Sequence, residues 1–275
     1  MRKVIFTAIV LGMFFTVNAQ NNENATNGKW MPEAVAGLNL SQVALSNWVS
    51  GGENKLAWNF TFEGKLNYRK DKLGFTNLLK INYGRTKEGG GLNKTVQNDL
   101  LYNNKLSYKS GWIFDYYAGA NLISYIAPGY NYSSAEPIKV SEFLNPADVT
   151  ESFGLSYDKS RVIQSQLGIG FHQVFTKPID DTNSNSEVKS ETGIESITNM
   201  KLGLTDKILW TSYLRFFSGF NRLDTWDVRW DNTVTASVNS WLNVNLTFLI
   251  IYDKTQSLKT QAKEALQIGV SYKLL

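Results

Sequence analysis

The chain carries one histidine and no cysteine, and these two counts decide much of the chemistry open to it. Without thiols there is no Cys nucleophile, no Cys-ligated zinc and no iron–sulfur cluster. His172, as a general base, needs a nucleophile within hydrogen-bond reach. Ser156 and Ser165 are the possible neighbours, and no Gly-x-Ser-x-Gly, His-Glu-x-x-His or Gly-rich phosphate motif surrounds them. The expectation is a protein that is not an enzyme and uses no cofactor or metal.

Other spacings are more suggestive. Asp227, Arg229 and Asp231 occupy alternate positions of one segment, with Arg215 on the segment before it. In a strand, residues two apart share a face, so these four form a candidate charge cluster. It reads either as a constriction or solute site, or as structural pairing that satisfies buried charges. Residues 127–148 contain Pro128, Gly129, Tyr130, Tyr132 and Phe143, with further prolines at 137 and 146. Proline stiffens such a loop, and its aromatics suit a constriction folded into a mouth, an external cap or a partner-binding surface. The Asp180-Asp181-Thr182-Asn183-Ser184-Asn185-Ser186-Glu187 run has oxygen ligands suited to a hard cation but lacks the spaced loop with its turn glycine, and reads as a hairpin tip.

What must position these residues is a series of strands. In residues 55–68, Leu56, Trp58, Phe60, Phe62, Leu66 and Tyr68 alternate with Lys55, Asn59, Thr61, Glu63, Lys65 and Asn67, the period-2 signature of a strand with one apolar and one polar face. Such segments recur at 35–47, 73–86, 96–108, 112–126, 149–157, 162–175, 192–204, 208–220, 226–238, 242–253 and 264–275. Short links alternate with long ones throughout. That is the connectivity of a membrane barrel, with short turns at one end and longer loops at the other. Ten residues tilted near 40–45° cover about 25 Å, the height of the apolar band. The fold class expected is therefore all-β: a membrane-spanning, antiparallel, up-and-down barrel of about twelve strands, with both termini periplasmic. Trp58, Tyr83, Trp226 and Tyr252 fall at one aromatic girdle, and Tyr68, Tyr108, Trp112, Tyr157 and Tyr272 at the other. Residues 38–45 break phase, and a bulge at Ser41-Gln42 is expected to repair it.

The first residues read as an export signal: Arg2 and Lys3, an apolar stretch at 4–17, then Val17-Asn18-Ala19 as a cleavage site. Residues 1–19 are expected to be cleaved, 20–34 to be a flexible lead-in and 35–275 to be the barrel. Loss of Arg2 and Lys3 lowers the formal charge from +4 to +2, too little to imply nucleic acid. By parity the inner face carries nine cations against seven anions, which favours no single-sign ring. Frequent inward glycines save lumen volume or permit sharp curvature.

Four segments carry a family resemblance: Leu45-Ser46-Asn47-Trp48 with Gly51-Gly52-Glu53-Asn54, Ile126-Ala127-Pro128-Gly129-Tyr130-Asn131-Tyr132, Ser141-Glu142-Phe143-Leu144-Asn145-Pro146-Ala147, and Leu249-Ile250-Ile251-Tyr252-Asp253. Together they resemble an uncharacterised bacterial family, a domain of unknown function whose members are regarded as outer-membrane barrels. The resemblance implies fold and location and supplies no catalytic residue. The expectation is a monomer in the outer membrane of a Gram-negative bacterium, in contact with outer-membrane lipid and, during insertion, with the barrel-assembly machinery. A narrow, weakly selective channel for small polar solutes is the leading role. A closed structural or partner-binding barrel is the alternative, and a lipid-modifying enzyme comes last.

Overall fold

The computed structural model describes residues 28–45, 52–134, 136–179, 186–254 and 259–275. The export signal, most of the 180–187 run and Ser46-Asn47-Trp48 lie outside them.

Twelve strands close a barrel: β1 (Lys29–Val43), β2 (Lys55–Lys70), β3 (Leu73–Glu88), β4 (Asn93–Tyr108), β5 (Asp115–Ser124), β8 (Ala147–Tyr157), β9 (Ile163–Thr176), β10 (Glu187–Thr205), β11 (Ile208–Gly219), β12 (Asp227–Ser237), β13 (Leu242–Tyr252) and β14 (Gln261–Lys273). All neighbours pair antiparallel, and β14 closes on β1. Between β5 and β8 a small hairpin, β6 (Gly129–Asn131) with β7 (Ile138–Ser141), stands outside the barrel sheet. The first strand begins and the last strand ends at the end of the barrel that carries the short turns, here the turn end; the other is the loop end. The β2–β3 turn needs only Asp71 and Lys72, with Asp71 at φ 52°, a left-handed conformation that Asp adopts more readily than most residues.

The distribution of side chains is inside out. Leu40, Phe153, Leu167, Leu266 and Ile268 are exposed on the outer face, while the buried side chains are mostly polar. A continuous apolar exterior of this size suits lipid rather than water. Trp58 and Tyr83 meet edge to face at 5.8 Å near the loop end, and Trp30 packs on Tyr68 at 4.8 Å at the turn end. The aromatics are thus grouped toward the two ends.

Three details depart from the sequence reading. β1 starts at Lys29, not Val35; of the residues expected in the flexible lead-in, Lys29–Glu33 pair with β2 alone, and Ala34 also bonds Leu274 and Leu275. That one-sided stretch tolerates Pro32, which cannot donate to a second neighbour. There is no bulge at Ser41-Gln42; the β1–β2 register runs unbroken, so Val43 takes an inward position at the mouth. β10 begins at Glu187 and extends the β9–β10 ladder through residues expected in a loop. An irregularity does occur between Gly84 and Arg85, opposite Val96 on β4.

Candidate functional site

With register fixed, the inward side chains can be followed round the bore. Between the middle and the loop end of the strands they meet, bury one another and narrow it. Arg215 on β11 donates Nε–H to Glu195 Oε1 on β10 at 2.9 Å and Nη2–H to Thr150 Oγ1 on β8 at 2.6 Å. Its guanidinium lies 5.8 Å from the Phe217 ring centroid, within cation–π range. Arg215 is 5% exposed, and Glu195, Thr150 and Phe217 are 0% exposed. Beside them Leu101, Ile197 and Tyr213 form an apolar cluster with Leu78 and Ile123 packed on it. All five face inward by register, so this is a plug of side chains inside the lumen.

The closure is cross-braced. Arg229 on β12 bonds Asp231 at 2.8 Å and reaches Asp99 at 3.7 Å on β4, six places away in the twelve-strand circuit and so on the opposite wall. Lys263 on β14 reaches Gln97 at 2.6 Å and Asp99 at 3.4 Å. Asn121 on β5 donates to the Tyr213 hydroxyl at 3.3 Å. Each bridge costs desolvation, which its partner's charge offsets only when the geometry is good. Side chains that span a bore also fix the relative position of walls that no backbone ladder joins.

The expected cluster of Arg215, Asp227, Arg229 and Asp231 is therefore divided. Arg215 and Arg229 are register neighbours, and like charges there point to different partners. Only Arg229 and Asp231 pair within the group. Asp227 turns to Arg222 at 2.5 Å, in the β11–β12 loop, which also binds Glu191 at 2.5 Å. Glu191 continues the chain to His172 Nδ1 at 3.4 Å, and His172 Nε2 lies 3.0 Å from Asp148, close in distance but not aligned as a hydrogen bond. His172 also stands edge-on to Phe217 at 4.8 Å. Neither expected serine neighbour is near it: Ser165 is outward on the same strand and bonds Thr198, and Ser156 bonds Asp158 at the turn end. Asp148 and Glu191 escaped the sequence reading because both were placed in loops, although Glu191 keeps the parity of Glu195.

Inward glycines make the closure possible. A Cβ on Gly170 would come within 3.3 Å of the Phe217 ring. There the missing side chain supplies volume. On Gly193 it would meet the Ser218 carbonyl, so there the backbones themselves approach. Both expected roles are present, at different positions.

The loop residues border the closure without forming it. Asn98 accepts from the Ile126 and Ala127 amides at 3.1 Å and donates to the Ala127 carbonyl at 2.6 Å. The Tyr132 hydroxyl accepts from the Thr95 amide at 2.9 Å, and the Pro128 carbonyl accepts from the Thr95 hydroxyl at 3.5 Å. These contacts lay the β6–β7 hairpin along β4 above the point where β5 ends. Gly129 and Tyr130 line a loop-end cavity of about 630 Å³, whereas Phe143 is exposed. A second cavity of about 480 Å³ occupies the turn end. Asp99 borders the first and Asp231 the second, with Arg229 between them.

The barrel is similar to an outer membrane channel from Pseudomonas putida F1, at 13% identity, covering 93% of this chain and 99% of that one, with a TM-score of 0.41. It is similar to the NanC porin at 10% identity, covering 88% of this chain and 100% of that one, TM-score 0.39. The translocator domain of the autotransporter NalP from Neisseria meningitidis is 10% identical, with 91% and 90% covered and a TM-score of 0.36. No curated protein matches the chain in sequence. Residues 40–130 match the model of a family described as a protein of unknown function (DUF3078), a segment that holds two of the four motifs behind the family resemblance, the second as far as Tyr130.

Proposed function

We propose that this protein is an outer-membrane barrel of a Gram-negative bacterium, exported by its first nineteen residues, that works as a closed, non-enzymatic solute-binding barrel. The observation that carries this reading is the septum: Arg215, Glu195, Phe217 and Ile197, each at most 5% exposed, point into the bore and pack there. On this reading the two cavities, one toward each end, are blind vestibules. His172 serves structure in this reading: its ring meets Asp148, Glu191 and Phe217, and the hydroxyl of Thr150, its register partner on β8, is held by Arg215. In this reading the termini, at the short-turn end, are periplasmic and the 125–146 loop faces the cell surface, in keeping with the short periplasmic turns of such barrels.

A gated channel for small polar solutes is the second reading. It is favoured by the make-up of the septum, which among the described residues is built of side chains; Arg229 bridges Asp99 and Asp231, which border the two cavities. Planar-bilayer conductance tests the choice. Folded, heat-modifiable wild-type barrel is expected to be silent, and a steady conductance from it would overturn the closed-barrel proposal. Conductance that arises in Arg229→Ala with Tyr213→Ala shows that the septum is the barrier.

A further inference from the structure

The two halves of the lumen differ in how their polar groups are used. In the septum and toward the loop end most charged groups are wired to one another: Arg215 to Glu195, Arg222 to Glu191 and Asp227, Arg229 to Asp231 and Asp99, Lys263 to Asp99. The turn-end chamber is not wired in this way. Its walls carry six cationic side chains against four acidic ones, and one of those acids, Asp231, is already held by Arg229. Glu63 is shared between Lys65 at 2.6 Å and Lys80 at 3.4 Å, one carboxylate for two ammonium groups. Lys105 has Asp158 at 2.6 Å. Arg161 and Lys201 make no ion pair or side-chain hydrogen bond among the described residues, and they are adjacent, since the Lys201 amide bonds the Val162 carbonyl.

Position matters as much as number. Arg161 and Lys201 stand on the β9–β10 side of the chamber, whereas Lys65 and Lys80 stand on β2 and β3, four to six places round the circuit. Cations thus face each other across the space. Between them the wall presents Gln164, Gln166, Asn199, Asn67 and Asn103, whose amides likewise have no side-chain partner among the described residues. Free amides offer both donors and acceptors, and suit hydroxyl groups. Facing cations suit a carboxylate or a phosphate. A cavity of about 480 Å³ is of the size that holds a small molecule.

We propose that the turn-end chamber is a binding site for a small hydroxylated anion, a sugar acid or a sugar phosphate, held by Arg161 and Lys201 on one wall and Lys65 and Lys80 on the other. The proposal rests on the reading of a barrel closed by the septum, which makes the chamber a blind site entered from the turn end. The overall balance of nine cations to seven anions conceals it, because the excess positive charge is concentrated in one half.

The test is isothermal titration of purified, heat-modifiable barrel with four probes: glucuronate, glucose 6-phosphate, inorganic phosphate and uncharged glucose. Saturable binding of glucuronate, glucose 6-phosphate or both is expected, weakening with salt, with glucose at least tenfold weaker. The preferred acid tells the carboxylate source from the phosphate source. Binding of inorganic phosphate as tight as the sugar phosphate would remove the hydroxylated part of the assignment. Lys201→Gln and Arg161→Gln, at exposed positions that leave the septum intact, should each weaken binding roughly tenfold, the effect of losing one charged hydrogen bond. Lys189→Gln, on the loop-end part of β10, should change nothing. Absence of saturable binding, equal binding of glucose, or full affinity in the Lys201→Gln and Arg161→Gln pair would overturn the proposal. Conductance of the same material separates the two readings: a conducting barrel that still binds these anions refutes the closed bore and keeps the site, and a silent barrel that binds none does the reverse.

Discussion

Replacing Arg215 by Met removes the central charge of the septum while keeping much of its aliphatic volume. The guanidinium gives up a 2.9 Å bond to Glu195, a 2.6 Å bond to Thr150 and its place over Phe217. Glu195 is 0% exposed and is left as an uncompensated buried carboxylate. Breaking a buried pair from one side costs about 3–5 kcal/mol, a shift of two or three decades in the folding equilibrium. Replacing both partners, Arg215→Met with Glu195→Leu, removes the stranded charge, and such exchanges are neutral or stabilising by about 1–4 kcal/mol. The double variant should therefore be at least about 2 kcal/mol more stable than Arg215→Met alone. Urea titration of folded barrel in lipid, followed by tryptophan fluorescence and by mobility of unheated samples on gels, measures all three proteins. A single substitution costing less than about 1 kcal/mol, or a double variant no more stable than Arg215→Met alone, would refute the view that this pair is a buried, coupled brace.

Gly193→Ala should destabilise the barrel by about 1–3 kcal/mol, because its Cβ would meet the Ser218 carbonyl; Gly203→Ala, where only a 3.9 Å contact arises, is the control in the same denaturation assay. Asn98→Ala removes three hydrogen bonds that seat the loop, and hydrogen exchange should quicken in 126–141 without changing the β2–β3 ladder. Deleting 130–143 should leave bilayer conductance at its wild-type level, since the septum is built from strand side chains. The Lys139 ammonium beside Glu142 holds its carboxyl below the ordinary value of 4.5. This contact therefore contributes in full above that value and is lost as pH falls through the lowered one. Anisotropy of a fluorophore on Ser133→Cys should be flat from neutral pH down to about 5 and fall only in stronger acid; an earlier fall would assign the change to another group.

The sequence by itself determined the twelve barrel strands, their order and the two faces of most of them. Alternation has a period of two and strands can turn only at polar or glycine-rich links, so a pattern such as Leu56 to Tyr68 admits one reading of inside and outside. The grouping of aromatics at the two ends followed for the same reason. What alternation does not contain is which inward side chain meets which across the bore. Arg215 and Arg229 look like partners of Asp227 and Asp231 along the chain, yet their reach is set by barrel closure, which brings Asp99 to Arg229 from the opposite wall and Glu195 to Arg215 from the other neighbouring strand. Strand ends were hidden for a related reason: Lys29–Ala34 is interrupted by Pro32 and the first residues of β10 are polar, and their strand state comes from the ladder of β2 and β9 beside them. The packing of the inward side chains belongs to the same class of facts, because it depends on twelve inward faces at once and on the glycine at 170 that lets Phe217 fit between them.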